Sequence, residues 1–342
     1  MMVVSGVLAA VLGVAAVLIP APYVIESPGP AINTIGQTNG QPVISVTGRQ
    51  TYPTSGTLDL TTVHLTGGLP DSQVNIFQVL RAWAGHSESI YPQELIYPPG
   101  VSQQAVTSEN TAAMTSSQEN ATAAALGELG ISYKTSLAVA AIPAGGAASG
   151  ILEPNDVLVS IDGKPITDLA VIQATLAAGG GQPVVVVVNR KGVQKSLTVT
   201  PKKSADGKYL LGIEVQDQFV FPFDVQISLS NIGGPSAGMI FALGIIDTLT
   251  PGELTGGKHF AGTGTIDPEG NVGAIGGIAQ KMIGARSSGA TYFLAPAANC
   301  SDVVGHVPAG LQVIKVDTLK QAYADVKLIG SGQDSSKLPT CQ

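Results

Sequence analysis

One hydroxyl stands where a nucleophile could be made. Ser236 lies in Gly233-Gly234-Pro235-Ser236-Ala237-Gly238, between an extended run, DVQISL, and an apolar run, MIFALGIIDTL. That order reads as strand, glycine-rich turn and helix, with Ser236 in the first helical turn. Backbone N–H groups from Gly234 to Ala237, unsatisfied at a helix start, could hold a developing oxyanion there. Small residues on both sides let a substrate approach the backbone closely. Gly-Pro-Ser also caps ordinary helices, so the serine needs a base before the pattern means chemistry.

Histidine is the first kind of base to look for. His64 falls in a Thr-rich strand, His86 in a polar loop and His306 in a Gly- and Pro-bounded loop, while His259 opens HFAGTGTI, so none has a catalytic setting. Lysine is the second kind, and it serves only if burial keeps its amine neutral. Lys281 has the surroundings for that: NVGAIGGIAQKMIGARSSGA puts it on a helix beginning after Gly276-Gly277, with Ile278, Met282 and Ile283 nearby. An ordinary helix lysine faces solvent, so the apolar neighbours make this one a candidate and the wider context has to decide.

The elements that must position these groups belong to a chain of 342 residues, long enough for two or three folded units. Hydrophobic residues make 44% and charged residues 12%, so the chain is too apolar to be disordered throughout. A net charge of −7 gives no basic footprint for nucleic acid. Four scattered histidines and two cysteines without C-x-x-C spacing offer no metal site, and no G-x-x-x-x-G-K-[ST] loop offers a nucleotide site, so no cofactor is expected.

Residues 1–19, MMVVSGVLAAVLGVAAVLI, carry no charge and are closed by Pro20 and Pro22. At about 1.5 Å per residue such a helix just crosses a hydrocarbon core of about 30 Å. LIPAPYV lacks a small-x-small cleavage site, so a retained single-pass anchor over 1–22 is expected rather than a removed signal. The expected location is the cell membrane with the body extracytoplasmic, although no Lys or Arg precedes Arg49 to fix the orientation. Cys300 and Cys341 are two free thiols or one disulfide, and an extracytoplasmic body permits the bridge.

Further along, VISVTG and GTLDLTTVHL read as strands, and NIFQVLRAWAG as a helix through Ile76, Phe77, Val79, Leu80 and Trp83. Residues 87–102 read as a loop, and 108–129 as a helix with a serine cap. From about 130 to 215 the pattern becomes a compact β-rich module around GILEPNDVLVSIDGKPI, with a short helix over 168–178. That stretch resembles a bacterial PDZ domain. The resemblance implies capture of extended peptides by strand addition, with the terminal carboxylate received near Leu129, Gly130 and Ile131. Gly130 reads equally well as a plain helix C-cap.

Three segments in order, GGPSAG, AGTGTID and VGAIGGIAQK, resemble the proteolytic domain of Lon-type proteases. The resemblance implies a Ser–Lys dyad of Ser236 as nucleophile and Lys281 as general base, 45 positions apart, with Thr263 hydrogen-bonding the lysine and Gly234 and Ala237 supporting the oxyanion. Departures are Gly233, where an acidic residue is common, and Ala279 and Gln280, where Lys and Glu are common. Both remove charge around the dyad. The fold implied is α+β: a transmembrane helix over 1–22, an N-terminal β/α segment over 23–128 that belongs to the protease fold, a PDZ module over 129–217 inserted into it, and a Lon-type proteolytic α/β domain over 218–342. The function implied is an ATP-independent serine endopeptidase acting on unfolded or flexible protein segments, with protein or peptide substrates and membrane as partners, no nucleic acid or nucleotide, and a homo-oligomer. A non-proteolytic PDZ scaffold at the membrane is the alternative, and self-processing within 87–108 is a third reading.

Overall fold

The computed structural model describes residues 4, 6, 7, 13, 17, 19–229 and 232–341. Most of the expected anchor over 1–22 therefore lies outside the described residues, among which no helix is long and apolar enough to cross a membrane. The chain divides into a larger unit, residues 1–131 with 223–342, and a smaller unit, 132–222.

The larger unit is built on a six-stranded mixed sheet in the order Gln312–Val316, Tyr292–Pro296, His259–Gly262, Thr57–Gly67, Tyr23–Asn33, Ser89–Pro92. The first four strands run parallel, and the last two pair antiparallel. Short parallel strands buried on both faces read as apolar runs, as in Tyr292–Pro296. Alternation along the strands sends Ala261 and Phe293 to a cluster with Ile278, Met282 and Ala285 of the helix Ile278–Ser287. The helix Gly238–Leu249, GMIFALGIIDTL, is apolar except for Asp247 and Thr248 and is buried along nearly its whole length. It packs against Gln103–Glu128.

Two departures from the sequence reading come from the same region. Residues 87–102 are irregular only at 87–88 and 97–102: Ser89–Pro92 adds the edge strand beside Tyr23–Asn33, and Gln93–Ile96 is a short helix. The long helix begins at Gln103 rather than at Ser108, because the Ser102 side chain already accepts from Ala105 N–H at 3.2 Å and caps it earlier.

In the smaller unit five main strands form an antiparallel sheet in the order Val193–Val199, Val184–Arg190, Val157–Ile161, Lys134–Ala141, Glu214–Val220. The helix Leu169–Gly179 is capped by Asp168, which accepts from the N–H groups of Ala170 and Val171. Arg190 holds the buried Asp156 through two bonds of 2.7 Å. Burial alone would push that carboxyl up, and the guanidinium together with the Glu153 N–H holds it below its ordinary value. The unit runs to Pro222 rather than 217, since Glu214–Val220 pairs along the whole of Lys134–Ala141.

Cys300 and Cys341 form a disulfide across 41 residues of the larger unit. It fastens the C-terminal tail, whose Pro339 carbonyl also accepts from Lys315 N–H at 2.8 Å. A loop of that length restricts the unfolded chain by about 2–4 kcal/mol. The variant Cys341→Ser is expected to lose about that much stability in denaturant unfolding, and reductant should bring the wild type to the same midpoint while leaving the variant unmoved.

Candidate active site

The turn carrying Ser236 is pinned from two sides. On one side Gly264 N–H donates to the Ser236 carbonyl at 2.8 Å, and Thr263 Oγ1 donates to the same oxygen at 2.9 Å. Met239 N–H returns a bond to the Gly264 carbonyl at 3.1 Å. These groups lie just beyond the C-terminal end of the strand His259–Gly262. On the other side, the long helix grips the turn: Gly234 N–H donates to the Asn110 carbonyl at 2.9 Å, and Ser117 Oγ donates to the Pro235 carbonyl at 3.0 Å.

This grip explains the glycines. Gly234 has φ +86°, a left-handed conformation that side chains rarely adopt. A Cβ on Gly238 would stand 2.8 Å from Ile266 and 2.9 Å from Ser117 Oγ, so only glycine lets the helix start this close to its neighbours. The grip also corrects one expectation. Gly234 N–H is spent on Asn110 and is not free for an oxyanion. The N–H groups of Ser236 and Ala237 have no acceptor among the described residues, and these two remain.

Lys281 enters from the helix Ile278–Ser287 and is 2% exposed. Its Nζ donates to Thr263 Oγ1 at 3.2 Å. Thr263 therefore touches both partners, accepting from the lysine and donating to the serine's own carbonyl. Ser236 and Lys281 line one cleft with Leu60, Thr61, His64 and Met114. Loss of water pushes the Lys281 ammonium down to about 8, against an opposing upward pull from Glu26.

Glu26 was not legible as part of the site. It lies on Tyr23–Asn33 and is 6% exposed, with Tyr91 donating to its Oε2 at 3.4 Å. Desolvation pushes its carboxyl above the ordinary range, opposed by the Tyr91 bond and by Lys281. A charged residue inside the apolar stretch YVIES was the signal available. Gln280, next to Lys281 in the chain, donates to Ser89 Oγ at 2.7 Å.

Of the histidines, His64 lines the cleft at its exposed rim, and His86 and His306 are exposed elsewhere. His259 Nε2 is 2.8 Å from the buried Asp59 carboxylate, and Ser288 Oγ donates to that same carboxylate oxygen at 3.1 Å. Aspartate, not imidazole, sits in the middle, so this is no nucleophile–base pair.

The expected peptide loop at Leu129, Gly130 and Ile131 is corrected. These residues close the helix Gln103–Glu128 in the larger unit: Leu129 N–H bonds Ala125, Gly130 N–H bonds Gly127 at φ +67°, and Ile131 N–H bonds Leu126 at 2.8 Å. In the smaller unit, Glu214–Val220 instead presents an edge strand, led in by Leu210-Leu211-Gly212-Ile213. A cleft beside this lead-in is lined by Gln173, Ala174 and Ala177 of the helix and by Lys208, Tyr209 and Leu210. An apolar-Gly pair directly before a strand was the sequence signal for it.

Comparison with known proteins adds two matches. Residues 228–327 match the Lon protease (S16) C-terminal proteolytic domain, and residues 139–190 match the PDZ domain. A Lon protease of Mesomycoplasma hyopneumoniae is 39% identical over 93 residues, 26% of this chain and 10% of its own. An archaeal Lon protease of Methanocaldococcus jannaschii is 33% identical over 168 residues, 49% of this chain and 22% of its own. The chain thus spans a fifth or less of the length of several such relatives. Among solved structures, the PDZ domain of an SdrC-like protein from Listeria innocua is similar at 17% identity, covering 23% of this chain and 92% of its own, with a TM-score of 0.22.

An amine near 8 makes the base form scarce in acid. A reaction needing neutral Lys281 should gain about tenfold per pH unit below 8 and level off above it. Glu26→Gln removes a negative charge that favours the ammonium, so the acid limb of the pH–rate profile is expected to move to lower pH. An unmoved limb would separate Glu26 from the site.

Proposed function

We propose that the chain is a serine endopeptidase in which Ser236 is the nucleophile and Lys281 the general base. The observation that carries this reading is the buried Lys281 amine, bonded to Thr263 and sharing a cleft with Ser236. The match of residues 228–327 to a Lon proteolytic domain supports it.

Neutral Lys281 takes the Ser236 hydroxyl proton as Oγ attacks the scissile carbonyl carbon. The Ser236 and Ala237 N–H groups hold the oxyanion, and the ammonium of Lys281 then gives its proton to the leaving amine. Water, deprotonated by the same amine, attacks the acyl carbon, and the Lys281 ammonium returns that proton to Ser236 Oγ as the ester bond breaks. Thr263 keeps the amine directed while its hydroxyl proton remains committed to the Ser236 carbonyl.

The smaller unit, in this reading, adds a peptide strand along Glu214–Val220, with the cleft by Lys208, Tyr209 and Leu210 receiving its end. Substrates are unfolded or flexible protein segments, and no ATP is needed. Residues 1–22 anchor the chain in a membrane with the body on the extracytoplasmic side. The Cys300–Cys341 bridge supports an oxidising compartment.

Casein cleavage without ATP tests the chemistry. Ser236→Ala and Lys281→Ala are each expected to lose at least about a thousandfold in kcat with the circular dichroism spectrum unchanged. His64→Ala should stay within about tenfold of wild type, since a rim contact contributes at most modestly to binding. Loss on His64→Ala with retention on Lys281→Ala would make histidine the base and overturn the assignment.

A further inference from the structure

The helix Ile76–Ala84 carries its apolar side on the wrong face for a core. Inward, Ala82 and Val79 pack on Ile25, Val74 and Ile90. Outward, Ile76, Phe77, Leu80 and Trp83 recur at i, i+1, i+4 and i+7, and the last three are 59%, 55% and 78% exposed. The helix is firmly made, with Asn75 and Gln78 exchanging side chain-to-backbone bonds of 2.9 Å as a capping box. The one cation on this helix is engaged, Arg81 bonding Glu88 at 3.0 Å. Leu95, on the short helix that follows, is likewise exposed.

The position of this face identifies what covers it. Pro20–Ala21 pairs antiparallel with Val74–Asn75, and Asn75 is the helix cap. Gln93 N–H, at the start of the helix bearing Leu95, donates to the Pro22 carbonyl at 3.0 Å. The apolar face and Leu95 therefore flank the point where residues 1–19, without a single charge, join the body. A monomeric soluble surface rarely gathers exposed large apolar residues in this way. A helix with one apolar face ending in tryptophan is the form that lies in a membrane interface, its apolar side sunk about 5–10 Å among the headgroups and upper acyl chains.

We propose that Phe77, Leu80, Trp83 and Leu95 form a lipid-contacting face that seats the body on the bilayer surface beside the anchor. The proposal rests on the reading of residues 1–22 as a membrane anchor. It goes beyond that reading in making a part of the folded body a membrane surface. A tether alone would leave the cleft free to rotate above the membrane. Two contacts hold the body at one height and orientation, which restricts the substrates reached to segments close to the bilayer.

Trp83 is the only tryptophan in the chain, so its fluorescence reports on this face alone. The full-length chain is reconstituted in phosphatidylcholine vesicles whose acyl chains are brominated near the headgroup, beside unbrominated controls, and floated on a density gradient. Flotation with a blue-shifted Trp83 emission, most of it lost to bromine, is the expected result. The double variant Phe77→Ser/Leu80→Ser should still float, keep its casein cleavage, and recover the emission that bromine quenches. Flotation without bromine quenching overturns the proposal while leaving the anchor standing. In that outcome, emission quenched by aqueous iodide means an open face, and blue-shifted emission reached by neither quencher means a face covered by protein. Failure to float overturns the anchor and this proposal together.

Discussion

A cation kept out of water is the constraint on which the larger unit turns. Moving the Lys281 ammonium from its ordinary value to about 8 corresponds to roughly 3 kcal/mol against folding with that side chain charged. Sign matters here. Below pH 8 the penalty is fully present, and between about 8 and 10.5 stability rises with pH, because there the unfolded chain holds more protons than the folded one. The surroundings that impose this penalty are a buried position, one hydroxyl partner, and a helix that also buries Ile278, Met282 and Ala285, with Gln280 its one other buried polar side chain.

Glu26 shows how finely that environment is divided. Its field favours the ammonium, but its carboxylate makes no direct ion pair with Lys281, and its own hydrogen bond comes from Tyr91. A contact pair would hold the lysine charged and leave no neutral amine for the proposed chemistry. No carboxylate at all would let the amine fall further, giving more neutral base but a weaker one. Distance between two buried groups of opposite sign therefore sets the working range. That distance is fixed by the packing of Ile278–Ser287 on Tyr23–Asn33, where a Cβ on Gly277 would meet Glu26 Oε1 at 2.5 Å.

What could be read from the sequence follows from how local each feature is. The serine turn, Thr263 and Lys281 each sit in a short segment of glycines and apolar neighbours, and that the three come together is what the resemblance to Lon proteolytic domains implies. Glu26 and Tyr91 reach the site through strand pairing with partners far along the chain, and the lone charge in YVIES marks Glu26 as unusual without saying what it faces. Ser89–Pro92 read as loop because an edge strand of four residues owes its form to the neighbour it pairs with, not to its own propensity. Leu129-Gly130-Ile131 misled for a different reason. A small turn with one left-handed glycine between apolar residues serves equally as a helix terminus or as the lead-in to a strand, and only the long helix before it decides. The second such turn, at Leu211-Gly212, has a strand after it and no helix before it.

Satisfied and unsatisfied polar groups divide the ends of this sheet between stability and chemistry. At the start of the strands, Asp59, His259 and Ser288 hold all the ingredients of a hydrolytic triad by type. Yet Asp59 accepts from both of the others, and the serine also donates to the Ala285 carbonyl, so no imidazole nitrogen faces a hydroxyl. Such a cluster ties two strands to the C-terminal end of the helix Ile278–Ser287 and has nothing left to offer a substrate. Two turns earlier on that helix, Lys281 makes one bond where an ammonium could make three, and it does so beside a cleft. Unfilled hydrogen-bonding capacity beside a cleft is what the proposed reading of Lys281 as a base draws on, and on this helix it belongs to the lysine amine.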